Sequence, residues 1–143
     1  MRVKQISIFL ENKSGRLAAV TRLLGEAGIN IRALSIADTS DFGILRLIVN
    51  DPARAYAALK DAGFTVSETD VIAVEIPDRP GGLSEVLNLL HENGVNVEYL
   101  YAFVSHSSGT ALVLLKVRGI DRAVELLKAH GVKVPDAATV YNL

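Results

Sequence analysis

Residues 3–10 alternate between apolar and polar side chains, with Ile6, Ile8 and Leu10 on one face. A period of two predicts a β-strand. Asn12-Lys13-Ser14-Gly15 interrupts the alternation. Leu17, Val20, Thr21, Leu24 and Ala27 then recur at helical spacing, so 16–27 is predicted to be an amphipathic helix. Gly28 stands where a left-handed helix stop is wanted. Residues 30–37 predict a second strand, 38–42 a turn, and 43–49 a third strand that is apolar on both faces apart from Arg46. Asp51-Pro52 reads as a helix cap followed by proline at the first helical position. Ala55, Leu59 and Ala62 carry that helix to Gly63, and a short strand at 65–67 closes the unit.

The pattern then begins again. Residues 11–34 laid over 77–100 match at nine of 24 positions, among them Gly15/Gly81, Leu17/Leu83, Val20/Val86, Leu24/Leu90, Gly28/Gly94 and Asn30/Asn96. Chance gives one or two. Further on, the offset grows from 66 to 68, and Arg54-Ala55 falls on Arg122-Ala123, Leu59-Lys60 on Leu127-Lys128 and Gly63 on Gly131. The chain is therefore read as two copies of one unit, 1–69 and 70–143, with a seam near Thr69 and Asp70. No Gly/Ser/Pro-rich linker separates them, so the copies are expected to pack closely. The second copy predicts strands at 71–76, 96–104, 110–117 and 132–134, and helices at 82–93 and 121–130.

Strand–helix–strand–strand–helix–strand, with both helices on one sheet face and right-handed crossovers, leaves one sensible topology. It is the α+β ferredoxin-like sandwich, a βαββαβ unit with an antiparallel sheet, present in tandem. In the second strand of each copy, Leu34 and Ile36, or Leu100 and Ala102, have the helix-facing parity. The opposite parity carries Ile31, Ala33, Ser35 and Ala37 in one copy and Val97, Tyr99, Tyr101 and Phe103 in the other. A sheet face turned to water should be more polar. These faces are expected to be buried in a domain or subunit interface, or locally under a loop, and self-association as a homo-oligomer is expected.

Composition narrows the chemistry. Half of the 143 residues are hydrophobic and the net charge is −1, which suits a folded chain and argues against general nucleic-acid binding. Cysteine is absent, which removes disulfides, zinc–thiolate sites, iron–sulfur clusters and cysteine catalysis. The three histidines, His91, His106 and His130, never share a helix turn, and no metal site or cofactor is expected. No apolar run approaches about 18 residues, and no signal peptide is expected at the start, so a cytoplasmic protein without membrane contact is the reading. No nucleophile–base pair or phosphate-binding glycine motif stands out, so an enzyme is not expected. Neither third strand carries an aromatic residue, which argues against RNA binding on the sheet.

Two motifs remain. Asp78-Arg79-Pro80-Gly81-Gly82-Leu83 follows a strand and opens a helix, and Gly94-Val95-Asn96-Val97 follows that helix. This pair resembles the ACT domain, a small ferredoxin-like module that binds amino acids and regulates amino-acid metabolism. The resemblance spans the chain twice. The first copy departs from it at Ser14, where the family has proline, while Gly28-Ile29-Asn30-Ile31 conforms. A pair of ACT domains without an attached enzyme is similar to small bacterial regulatory proteins. Its implied partners are a free amino acid and an enzyme of amino-acid metabolism.

An α-amino acid offers a carboxylate and an ammonium. A helix N-terminus suits the carboxylate through its unpaired N–H groups and positive dipole end. Gly15, Gly81 and Gly82 let the backbone approach a ligand closely. Asn12 can accept from the ammonium and donate to the carboxylate, and Asp78 can pair with the ammonium. The resemblance implies that Asn30 and Asn96 reach the same ligand from a neighbouring domain. Each residue also has a plainer role open to it. The glycines can serve the turn alone, Ser14 and Asp78 can cap helices, and the asparagines can occupy turn conformations. A ligand-free assembly module is the alternative function.

Overall fold

A computed structural model describes residues 1–38, 40–103 and 109–143, with Asp38 described by its backbone alone. Val104, the predicted end of a strand, and His106 lie outside the described residues. The chain forms β1 (Val3–Glu11), α1 (Arg16–Glu26), β2 (Ile31–Asp38), β3 (Phe42–Val49), α2 (Pro52–Asp61) and β4 (Thr65–Pro77). It continues through α3 (Gly82–Glu92), β5 (Val97–Ala102), β6 (Thr110–Val117), α4 (Ile120–Ala129) and α5 (Ala137–Tyr141). No described helix is long and apolar enough to cross a membrane.

The contacts divide the chain into two compact units. The first comprises Lys4–Thr69 with Tyr141–Leu143, and the second Asp70–Val140 with Met1–Val3. The chain ends are thus exchanged. Arg2 pairs with Asp70 at 3.2 Å and with Asp121 at 3.4 Å, within the second unit. In the first unit, the Lys4 amide donates to the Tyr141 hydroxyl at 2.8 Å, and Arg32 Nε donates to the Tyr141 carbonyl at 3.1 Å.

Within the first unit the strand order is β2–β3–β1, followed by the opening residues of β4. Ile8 stands opposite Leu45, and Leu34 opposite Leu47, in antiparallel register. Ile6, Ile8, Leu10, Leu45 and Leu47 bury one sheet face against Val20 and Leu24 of α1 and Ala55 and Leu59 of α2. This is the strand parity and the helix spacing that the alternation predicts. The second unit repeats the order as β5–β6–β4. Ile72, Val74, Ile76, Val113 and Leu115 pack there on Val86, Leu90, Ala123 and Leu127. Both units are α+β ferredoxin-like sandwiches with antiparallel strands.

Several details depart from expectation, each for a local reason. Ile31 and Val97 do not share the face of Ala33 and Tyr99. The ladder is irregular between Ile31 and Ala33 and between Val97 and Tyr99, and Ile31 and Val97 pack on the helix-side cores. A bulge adds one residue and reverses the parity beyond it. Leu34, Ile36 and Leu100 have the helix-facing parity yet stay exposed, because β2 and β5 are the outer strands. Tyr101 and Phe103 are buried. The strands predicted at 65–67 and 71–76 form one continuous β4, since no glycine or proline lies between Thr65 and Ile76 to stop it. The predicted strand 132–134 does not form. A single backbone bond, Glu75 N–H to the Lys133 carbonyl at 3.0 Å, marks its place. The unexpected α5 is capped by Asp136, which accepts from the Thr139 amide at 2.8 Å.

Two glycines make the packing testable. A Cβ on Gly82 would lie 2.1 Å from the Pro77 carbonyl oxygen, whereas one on Gly25, inside α1, would meet nothing within 4 Å. Gly82→Ala is expected to cost about 1–3 kcal/mol through the steric clash. Gly25→Ala is expected to stabilise by about 0.5–1 kcal/mol through reduced unfolded-state freedom. Denaturant titration of both variants checks the opposite signs. Asp136 offers a pH test. The Thr139 backbone and side-chain hydrogen bonds hold its carboxyl below the ordinary value. A depressed folded-state pKa stabilises above the unfolded pKa and ceases to do so as pH falls through the folded one. Asp136→Ala should therefore melt below wild type at pH 7, and the two melting temperatures should converge in acid below the usual carboxylate range.

Candidate functional site

In each unit the first strand turns into the first helix through a glycine in left-handed conformation. Gly15 and Gly81 both have φ of 85° and stand as the N-caps of α1 and α3. L-residues with a Cβ rarely adopt that geometry, which explains glycine at both corners. Neither helix has a side-chain cap. Ser14 and Asp78 therefore do not play the capping role open to them in the sequence. Gly82 N–H turns back to the Arg79 carbonyl at 3.0 Å, and Arg16 N–H to the Lys13 carbonyl at 3.3 Å. The next amides along each helix have no earlier helical carbonyl to bond, which is the usual anion-accepting end of a helix.

Asn12 secures its corner. Its backbone amide donates to the Asp41 carbonyl at 2.8 Å, and its Nδ2 donates to the Ser40 carbonyl at 3.0 Å. In the second unit the Asp78 amide donates to the Gly109 carbonyl at 3.1 Å. Both corners are thus tied to the turn that precedes the third strand. Asp78 itself is exposed.

Asn30 and Asn96 stand elsewhere. The Asn30 amide donates to Asn50 Oδ1 at 2.9 Å, and the Asn30 carbonyl accepts from the Asn50 amide at 3.1 Å. The Asn96 carbonyl accepts from the Arg118 amide at 3.4 Å. Asn50 lies just past the end of β3 and Arg118 just past the end of β6, whereas the corners join the beginnings of those strands. At ~3.3 Å per residue, the seven steps from Phe42 to Val49 span about 23 Å. Within a unit, then, Asn12, Ser14 and Gly15 come together at one end and Asn30 at the other. Asp78, Gly81 and Gly82 are likewise separated from Asn96.

Charged partners beside these positions were not singled out by motif. Arg79 makes two bonds of 3.1 Å to the carboxylate of Glu85, bracing the second corner. Lys13, and then Arg16, hold the Glu11 carboxyl below its ordinary value at the first corner. Glu98, near Asn96, is lowered chiefly by its hydrogen bond from Arg118, with Lys116 adding its charge. The Arg79–Glu85 pair joins the first helical turn to the preceding loop, a spacing too short to stand out in a search for repeated motifs. Among the described residues no cluster of three His, Asp or Glu side chains is placed to hold a metal ion.

Comparison with known proteins supplies a context for this geometry. The family model described as an ACT domain pair matches residues 1–136. The crystal structure of protein BT0572 from Bacteroides thetaiotaomicron is 46% identical, with a TM-score of 0.94, and the match covers 100% of this chain and 98% of that one. The regulatory subunit of aspartate kinase from Thermus thermophilus, in its ligand-free form, superposes with a TM-score of 0.67 at 17% identity, covering 88% of this chain and 91% of that one. The corresponding subunit from Thermus flavus gives 0.63 at 20% identity, covering 88% of each. At those identities the two Thermus structures share the fold. No curated protein matches the chain. On the match over 1–136 and the near-complete superposition at 46% identity, the chain belongs to the ACT domain pair family.

Proposed function

We propose that this chain is an amino-acid sensor: it binds a free amino acid and passes that state to a partner enzyme of amino-acid metabolism. The observation that carries the reading is the pair of strand-to-helix corners at Gly15 and Gly81, both at φ 85° and both without a side-chain cap. Such a corner presents backbone N–H groups to an anion. An α-carboxylate suits it, and the exposed Asp78 carboxylate beside the second corner suits the α-ammonium. The family supports the reading, as do the fold relatives that are regulatory subunits of aspartate kinase.

Asn30 and Asn96 lie too far from the corners of their own units to share a ligand with them. In this proposal they act from the matching unit of a second chain, so binding and self-association are linked. An apolar patch on the first unit supports association. Phe9 and Phe42 stack with centroids 4.9 Å apart and remain 48% and 42% exposed, beside the exposed Ile44. A ligand that favours one association state over another shifts that equilibrium, and this is what regulation requires. The proposed place of action is the cytoplasm, where free amino acids are metabolised, and the proposed mode is binding without turnover.

The same patch favours a second reading, a ligand-free assembly module. Thermal unfolding of dialysed protein against each of the twenty amino acids at millimolar concentration separates the two. The sensor reading predicts a raised melting temperature with one amino acid or one chemical class, worth about 2.7 kcal/mol at a hundredfold excess over the dissociation constant. Asp78→Ala should weaken that ligand at least tenfold and leave the ligand-free melting temperature unchanged. A flat panel, with carried-over ligand excluded by mass spectrometry, supports the assembly module instead.

A further inference from the structure

The two copies differ in what covers the core beside their first helices, and each copy is a template for the other. The repeat aligns Phe64 with Val132. The backbone agrees: the Phe64 amide donates to the Leu59 carbonyl at 3.0 Å, and the Val132 amide to the Leu127 carbonyl at 2.9 Å. The repeat also aligns Arg16 with Gly82, each the residue after a corner glycine. In the first unit Phe64 packs on the core that includes Val20. The Arg16 guanidinium lies over the Phe64 ring, 5.0 Å from its centroid, and its Nε is buried without a hydrogen-bond partner. A benzene ring with an arginine laid across it thus covers this end of the first unit.

In the second unit that cover is missing. Val132 is too short to replace a ring, and Gly82 has no side chain to lay across one. A Cβ on Gly82 would lie 2.1 Å from the Pro77 carbonyl oxygen, so the backbone there keeps the position small. Segment 131–135 forms no strand beside Ile76 and Pro77. A cavity of about 510 Å³ opens in its place, walled by Pro77, Val86, Leu89 and Val132. Its volume falls within the roughly 300–1,000 Å³ usual for small-molecule sites. Val86 is the counterpart of Val20, so the cavity floor belongs to the same core surface that Phe64 packs on in the first unit.

Charged residues border the cavity without furnishing it. Val74 and Ile76 turn into the core, so strand alternation sends the Glu75 side chain to the opposite sheet face. Val132 and Val134 pack inward, and Lys133 between them is exposed. The Glu85 carboxylate is held by Arg79 in two bonds of 3.1 Å. A charge buried against the remaining aliphatic walls would be unpaired and costly, whereas an uncharged ring gains by leaving water. We propose that this cavity binds a small neutral aromatic molecule, whose ring takes the place in the second unit that the Phe64 ring holds in the first. The ring lies against Val86, Leu89 and Val132. The first copy, covered from within by Phe64 and Arg16, does not bind it. None of residues 78–84 lines the cavity, so the site is not the Gly81 corner, and the proposal does not rest on the amino-acid reading above.

Indole is the probe. The chain has no tryptophan, so the fluorescence of indole itself reports binding to the full chain, and methyl nuclear magnetic resonance locates it. Saturable shifts are expected at Val86, Leu89 and Val132, with the counterparts Val20 and Leu23 unmoved. Val132→Phe supplies the missing ring and is expected to weaken indole about tenfold or more. Phenylacetate and phenethylamine, rings that carry a charge, are expected to bind wild type more weakly than indole by a similar factor. No saturable binding of indole, or shifts that are equal in the two copies, overturns the proposal. So does unchanged affinity in a folded Val132→Phe. Should that variant fail to fold, Leu89→Asn, which makes one half-buried wall polar, decides in the same way. If either charged ring binds as tightly as indole, the assigned ligand class is wrong.

Discussion

The corner between the first strand and the first helix of each unit governs most of what this chain does. A left-handed glycine at Gly15 and at Gly81 reverses the chain within a few residues, both at φ 85°. That reversal sends the helix back across the sheet, so Val20 and Leu24, or Val86 and Leu90, land on the buried strand faces. It also leaves each helix N-terminus without a side-chain cap, so the same constraint that builds the sandwich presents backbone donors to solvent. Structure and candidate chemistry share one cause.

The residue next to that glycine separates the copies. Arg16 reaches over Phe64 and seals the first unit beside its core. Gly82 contributes nothing beyond its backbone, and Val132 leaves the matching space open. Sealing adds apolar contact but buries the Arg16 Nε without a partner, a cost that the ring contact and the packing of the stem must offset. The second copy lacks that contact, and a cavity of about 510 Å³ borders Val132 there.

Much of this was legible in the sequence, because it depends on short-range pattern. The alternation at Ile6, Ile8 and Leu10, the helical spacing at Leu17, Val20 and Leu24, and the glycines at 15, 28, 81 and 94 placed the elements to within a residue or two, and the crossover rule supplied the strand order. The features that escaped depend on contacts between distant residues. The bulges near Ile31 and Val97 reverse side-chain parity without any local signature. The continuous β4 runs through a point where two repeats simply abut. The exchanged chain ends rest on Arg2 with Asp70 and on Lys4 with Tyr141. For the site, the motif residues were visible, but not that β3 and β6 hold Asn30 and Asn96 at the far ends of their units. Arg16 and Phe64 carried no motif at all, and only their contact shows what they fill.

The central claim is that the uncapped strand-to-helix corners receive an amino acid. Amide nuclear magnetic resonance of the full chain, titrated with each free amino acid, tests it most directly. Saturable shifts are predicted at Gly81, Gly82 and Leu83, or at their counterparts Gly15, Arg16 and Leu17. Saturable shifts confined to residues away from both corners, or no saturable shift with any amino acid, would contradict it.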